Sequence, residues 1–171
     1  MTVLALPVSS RDHILGVDTA ATTLVEYGDF QCPRSATAHR IVREIQQQLG
    51  GEQLCFVFRH FPRTHLHPQA QTAAEATEAA AAQGKFWQMH DCLFENQHAL
   101  DDGDLVECAA ALGLDISQFL REMSGDVYAQ RVRGDFDSGV QSGVKSTPTF
   151  FINGIRYDSA CDKKRLLAAL L

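Results

Sequence analysis

The sequence has no Cys-x-x-Cys, no long apolar run and no cluster of Lys and Arg. Each absence removes a class of protein. Without an apolar stretch near the thickness of a bilayer, no membrane-spanning segment and no membrane partner are expected. A formal charge of −6 with scattered basic residues offers no footprint for nucleic acid, which is held through clustered Lys and Arg. The five cysteines, Cys32, Cys55, Cys92, Cys108 and Cys161, are odd in number and share no short spacing. That argues against a disulfide framework and against a cysteine zinc site. Most of them are therefore expected to be small buried hydrophobes. Met1 to Pro7 lacks a basic n-region and has only a brief apolar stretch, so it does not read as a secretory signal; the expected location is cytoplasmic. No internal repeat and no low-complexity linker divides the chain.

What is present suits one globular domain. The chain has 171 residues, 45% of them hydrophobic, with ten Phe, enough to bury a real core. Thr22 to Tyr27 is β-branched and aromatic and reads as a strand. From Pro33, the positions Ala38, Ile41, Val42, Ile45 and Leu49 mark a helix, which Gly50-Gly51 ends with a left-handed C-cap. Gln53 to Phe58 is nearly continuous in apolar residues, as expected of an interior strand. This β-α-β unit predicts a parallel pair.

After Pro62 and Pro68 the pattern turns helical: Gln69 to Gln83, Lys85 to Gln97, Asp101 to Leu112 and Asp115 to Met123. A fifth helix is expected over Asp126 to Ser142, with Val127, Val132, Phe136 and Val140 as its apolar positions. Thr149 to Ile152 and Ile155 to Tyr157 flank Asn153-Gly154, a strong hairpin signal. Arg165 to Leu171 completes a terminal helix, opened by Ser159 or Asp162 as N-cap. The expected fold is therefore α/β: one sheet assembled from residues 1–64 and 127–171, with an all-helical insertion over 65–126.

Cys32-Pro33 stands where a helix follows a strand. The free N–H groups and positive dipole end of a helix N-terminus favour negative sulfur. Pro33 suits the first helical position, and Arg34 adds a cation. The plainer alternative is a buried Cys followed by a helix-starting Pro. Two features weigh against it. Ser146-Thr147-Pro148-Thr149 sets a proline at the opening of a strand, a candidate cis bond. Glu26 falls mid-strand where burial is expected, and a buried carboxylate needs a partner or a purpose.

Other polar groups have simpler readings. His60, His65 and His67 cluster before the insertion, but their spacing matches no common zinc pattern, and no metal is expected. His39 follows Cys32 by about two helical turns, too far to act as its base. Cys161, near the start of the last helix, could be thiolate-prone for the same reason as Cys32, or simply incidental. The aromatic stripe from Phe86 to Phe94 reads as packing, and Asp101-Asp102 as a solvated turn.

Together these residues form a resemblance. Val25-Glu26-Tyr27-Gly28-Asp29-Phe30-Gln31-Cys32-Pro33 resembles the active-site strand and turn of DsbA-like thioredoxin-fold proteins. Phe58-Arg59-His60-Phe61-Pro62 resembles that family's second strand and the loop into its helical domain. Gly143 to Gly154 resembles its cis-proline loop and following hairpin. The resemblance implies a thioredoxin-like fold carrying a helical insertion. It implies Cys32 as nucleophilic thiol, Pro148 as a cis-proline facing it, Glu26 as a buried acid beneath the site, and the Thr147 backbone as an edge for an extended peptide or thiol ligand.

The family's usual Cys-x-x-Cys is here Cys32-Pro33-Arg34-Ser35. Ser35 cannot resolve a mixed disulfide on Cys32, so dithiol oxidase chemistry loses its second thiol. The leading expectation is a monothiol thiol–disulfide oxidoreductase acting on protein or small-molecule disulfides. It would use no tightly bound cofactor, and glutathione or a similar small thiol would act as co-substrate. Two alternatives stand beside it. One is a glutathione-transferase-like enzyme related to the kappa type; the other is a redox-inactive peptide-binding module.

Overall fold

The computed structural model describes residues 1–171. Its elements run β1 (His13–Leu15), β2 (Thr22–Gly28), α1 (Pro33–Leu49), β3 (Leu54–His60), α2 (Ala70–Ala81), α3 (Phe86–Glu95), α4 (Asp102–Ala111), α5 (Ile116–Ser124), α6 (Ala129–Gln141), β4 (Thr149–Ile152), β5 (Ile155–Tyr157) and α7 (Lys163–Leu170). β2 and β3 pair in parallel across the α1 crossover, with Glu26 opposite Phe58. β4 returns antiparallel to β2, and β5 antiparallel to β4. The sheet order is β1-β3-β2-β4-β5. Asn153 and Gly154 both have positive φ, 49° and 80°, the pairing that a two-residue hairpin turn of the right twist requires.

Alternation along β2 sorts its side chains onto two faces. Leu24 joins Phe56, Phe58 and Phe150 in a core of 27 buried residues that runs on into α1, α2, α3, α4, α5 and α7. The helical insertion thus packs on the same face as α1 and shares its core. Val25 and Tyr27 point to the other face, where Val57, Phe61, Val144 and Phe151 form a smaller cluster under Leu4, Val8 and Phe136. No helix is long and apolar enough to cross a membrane.

Several elements differ from the sequence-based expectation. β1 carries too little pattern to be seen in three residues; it exists because it pairs antiparallel with the free edge of β3. α6 begins at Ala129, after Asp126 turns the chain with φ 48°. Val127 and Val140, expected to be core positions, are exposed at 56% and 55%. Val132 is buried and Phe136 partly buried as expected, but the rest of the face that α6 buries is small and polar, Asp135, Ser138 and Gly139. The reason is that it sits on Tyr27, whose hydroxyl hydrogen-bonds Ser138 Oγ at 2.8 Å. Asp101 is more than a turn residue: it caps α4 in a reciprocal capping box with Asp104.

The cysteine expectation also needs correction. Cys92 on α3 and Cys108 on α4 form a disulfide, leaving Cys32, Cys55 and Cys161 free. A separation of 16 residues gives no motif. The pair becomes visible only when two helices of the insertion lie side by side.

Candidate active site

The turn between β2 and α1 is built around Asp29. Buried at the end of β2, it is saturated. Its Oδ1 accepts the Gln31 N–H at 2.8 Å, and Oδ2 accepts the Arg63 N–H at 2.9 Å and pairs with His67 Nδ1 at 2.8 Å. Its own N–H donates to Ser35 Oγ at 3.3 Å. Ser35, fully buried, therefore braces the turn from within. Gln31 and Gln69 bond each other reciprocally, through Gln31 Oε1 to the Gln69 N–H at 2.8 Å and through the two side chains at 3.2 Å. Gln97, from the insertion, donates its amide to the carbonyls of Phe30 and Cys32, at 3.0 and 2.7 Å.

Cys32 is the N-cap of α1 with extended backbone, and Pro33 takes the first helical position. Its thiol is buried and donates to the Thr147 carbonyl at 3.4 Å, from the loop where the Thr147–Pro148 peptide is cis. Two loops more than a hundred residues apart in sequence thus meet at one sulfur. Arg34 points outward. It lines an open groove of about 360 Å³ with Ser146, Pro148, Tyr157 and Cys161.

Glu26 lies beneath. It is 1% exposed, and its Oε1 has no hydrogen-bond partner. Burial alone pushes its carboxyl up to about 8, because a charge cannot be solvated there. Gly28 leaves room for it: a Cβ at that position would stand 2.4 Å from the Phe58 ring and 3.1 Å from Glu26 Oε1.

The remaining candidates separate. His60 engages Glu78 and His67 engages Asp29, while His65 is exposed. The loop histidines thus serve different carboxylates. Burial works to raise the Glu78 carboxyl, yet hydrogen bonds from His13 and His60 hold it far below the usual range. Cys161 departs from its dipole-based expectation. It precedes the N-cap Asp162, and burial, with Glu26 and Asp162 nearby, pushes its thiol up to about 11. Cys55 lies in the smaller core on the opposite sheet face from Glu26, and burial raises its thiol too. Side chains of metal-binding type converge at His39, His90 and Asp91, within 4.8 Å of one another. Arg43 is ion-paired with Asp91 there.

The thioredoxin family model matches residues 9–170. The chain belongs to the thioredoxin family. Among solved structures, oxidised BdbD from Bacillus subtilis superposes with a TM-score of 0.86 at 23% identity, covering 99% of this chain and 96% of that one. The α-DsbA1 protein of Wolbachia pipientis gives 0.81 at 20% identity, covering 98% and 92%. These likenesses establish the DsbA-like thioredoxin fold with its helical insertion. Among curated proteins, the chain is 42% identical over 168 residues to a Na(+)/H(+) antiporter NhaA 1 of Salinispora arenicola. It is 41% identical over 169 residues to an NhaA antiporter of Herminiimonas arsenicoxydans. In both cases it covers 98% of itself but spans only about a quarter of the relative, 26% and 27%.

On this thioredoxin frame, the structure brings Cys32, Pro33, Ser35, Thr147 and Pro148 together and turns Arg34 to the groove. Asp29, Gln31, Gln69 and Gln97 escaped the sequence reading. Asp29 had a weak signal, a carboxylate between a strand end and the thiol. Gln97 had none, since its partner carbonyl lies 65 residues away along the chain.

Proposed function

We propose that this thioredoxin-family protein is a thiol–disulfide oxidoreductase that works through one cysteine and an external thiol. The observation that carries the reading is the Cys32 thiol, N-cap of α1, held 3.4 Å from the Thr147 carbonyl beside a buried Ser35 that occupies the place of a second thiol. A helix N-terminus stabilises the thiolate through its free N–H groups and dipole.

The chemistry is two exchanges. Cys32 thiolate attacks one sulfur of a substrate disulfide, forming a mixed disulfide and releasing the other sulfur as a thiolate, which takes up a proton. An external small thiolate then attacks the substrate sulfur of the mixed disulfide, and the electron pair of the broken S–S bond returns to Cys32. No net oxidant is consumed. The substrate disulfide is exchanged for a new one between substrate and small thiol. The Thr147 carbonyl, now bonded to the resting thiol, is placed to receive an N–H of an extended peptide once Cys32 is in a disulfide. The groove beside Pro148, with the Arg34 guanidinium on its rim, suits a small thiol bearing carboxylates such as glutathione. Ser35 does not resolve; its hydroxyl keeps the Asp29 N–H satisfied in the dry turn.

The test is turnover of a glutathionylated peptide at increasing concentrations of small thiol. The rate should require the thiol and saturate in it. Cys32→Ser should abolish it, while Cys55→Ser with Cys161→Ser should leave it nearly intact. A double variant that folds but is dead would reveal a protein thiol as resolver. Conjugation of glutathione to electrophiles without disulfide turnover would instead favour a transferase.

A further inference from the structure

Around Glu26, the sheet, α1 and α3 border a small cavity. It is lined by Leu15, Phe56 and Trp87 and by the polar residues Glu26, Gln46 and His90, with His39, Arg43 and Asp91 toward its outer end. Its volume is about 10 Å³, close to the smallest space that holds one water molecule. Three of its lining residues carry a buried polar atom with no partner: Glu26 Oε1, Gln46 Nε2 and His90 Nε2. Orphaned buried polar groups are rare because each costs about 1–3 kcal/mol. Three beside one water-sized space have one economical explanation.

We propose that this cavity is a one-water site, and that Glu26, the water, His90 and Asp91 form a proton route from the buried acid to solvent at the back of the active site. One water can satisfy all three orphaned groups. His90 Nδ1 lies 3.0 Å from Asp91 Oδ1, so Nδ1 carries the proton and Nε2 presents a lone pair. Gln46 Nε2 is a donor. With Glu26 protonated, the water accepts from Glu26 and Gln46 and donates to His90. With Glu26 ionised, the same water turns to donate to both Glu26 and His90 and still accepts from Gln46. One molecule serves both states, and moving between them is the transfer itself. The Glu26 proton passes to the water, a water proton passes to His90 Nε2, and the Nδ1 proton leaves through Asp91. Asp91 is 24% exposed and ion-paired with the half-exposed Arg43, so the route ends at the surface.

The charged and titratable groups around the route are His39 and Arg43 on α1, His90 and Asp91 on α3, and His60 on β3. Cys161, from the segment before α7, also senses Glu26. Burial holds both imidazoles neutral; His39 is lowered to about 4, by burial first and then by His90. A neutral His90 is the state that can take a proton. The route's use rests on the thiol-exchange reading, in which a leaving thiolate must gain a proton; its existence does not.

Two measurements test it on the intact protein. A high-resolution crystal structure should show one density peak without anomalous signal within hydrogen-bond distance of Glu26, Gln46 and His90. A dry cavity, or a cation in it, overturns the proposal. The infrared carboxyl band of Glu26, identified by its loss in Glu26→Gln, then reports deprotonation after a pH jump. His90→Gln keeps a polar neighbour for the water but cannot relay, and should slow the band by at least about tenfold, equivalent to about 1.4 kcal/mol of barrier. Asp91→Asn, on the surface, should slow it in the same direction. Wild-type kinetics in His90→Gln would rule the route out. Neither readout needs disulfide turnover. A protein with the water and the fast band but no exchange activity would refute the functional proposal alone, and an active protein with a dry cavity would refute this one alone.

Discussion

Glu26→Gln should change how stability depends on pH, by an amount the structure sets. The wild-type carboxyl moves from its ordinary value of 4.5 up to about 8, through burial, with no ion pair to offset it. Between those values the folded protein holds a proton that the unfolded chain has released. Stability is therefore unaffected below pH 4.5, falls as pH rises toward 8, and levels off above it. Each pH unit within that window costs about 1.4 kcal/mol, so the full fall is roughly 5 kcal/mol, comparable to the lower end of a domain's whole stability. The amide introduced by the substitution has the carboxyl's shape but binds no proton in this range. It carries its own burial cost, which is the same at every pH. The reading is thus the slope of the difference between the two proteins. Urea unfolding followed by circular dichroism from pH 4 to 9 measures it, with m unchanged as the check that both unfold alike. The gain of the variant over wild type should grow steadily up to about pH 8. Two parallel profiles would mean that Glu26 is ionised at little cost in the folded protein, and that burial does not hold its proton as described.

The two glycines inside α6 should respond oppositely to alanine. A Cβ on Gly134 meets nothing within 4 Å, so Gly134→Ala should add about 1 kcal/mol through helix propensity and raise Tm by about 2–4 °C. A Cβ on Gly139 would stand 2.6 and 2.8 Å from the Phe61 ring and 3.1 Å from Tyr27, and Gly139→Ala should lose more through overpacking, about 1–3 kcal/mol, than it gains. Thermal shifts of the same sign would contradict the packing described for α6. The Cys92–Cys108 bond closes a loop of 16 residues, so Cys92→Ser with Cys108→Ser should cost about 3 kcal/mol. In the wild type, alkylation of the denatured protein without reductant should mark only Cys32, Cys55 and Cys161; labelling at Cys92 would show the bond absent.

What could be read in advance was local. The parallel pair β2 and β3 follows from two apolar runs around an amphipathic helix, and the β4–β5 hairpin from Asn153-Gly154, because the physics lies within a few neighbouring residues. The same holds for Cys32-Pro33 at a helix start and for the burial of Glu26 by alternation. What could not be read depends on distant partners. β1 needs the edge of β3 to exist at all. Cys92 finds Cys108 only when α3 and α4 are side by side. Val127 and Val140 fit a helical apolar stripe, yet Tyr27 and Phe61 ask α6 for Ser138 and Gly139 instead. Cys161 sits near a helix N-terminus as a dipole argument requires, but burial beside Glu26 and Asp162 outweighs the dipole.

The bonds that Gln97 makes to the carbonyls of Phe30 and Cys32 bear on how such proteins diversify. The turn carrying the thiol is fastened from the helical insertion, by Gln97 and Gln69, and from the loop leading into it, by His67 and Arg63 through Asp29. The insertion is thus no detachable cover over a finished reaction centre. A shortened chain with the insertion excised would retain every residue of the Cys32 turn and still present it with bare carbonyls and a carboxylate missing its His67 partner. Transplanting this motif into a minimal fold therefore means carrying over a handful of side chains from far along the chain, whereas the outer helical surface, which touches none of them, is free to change.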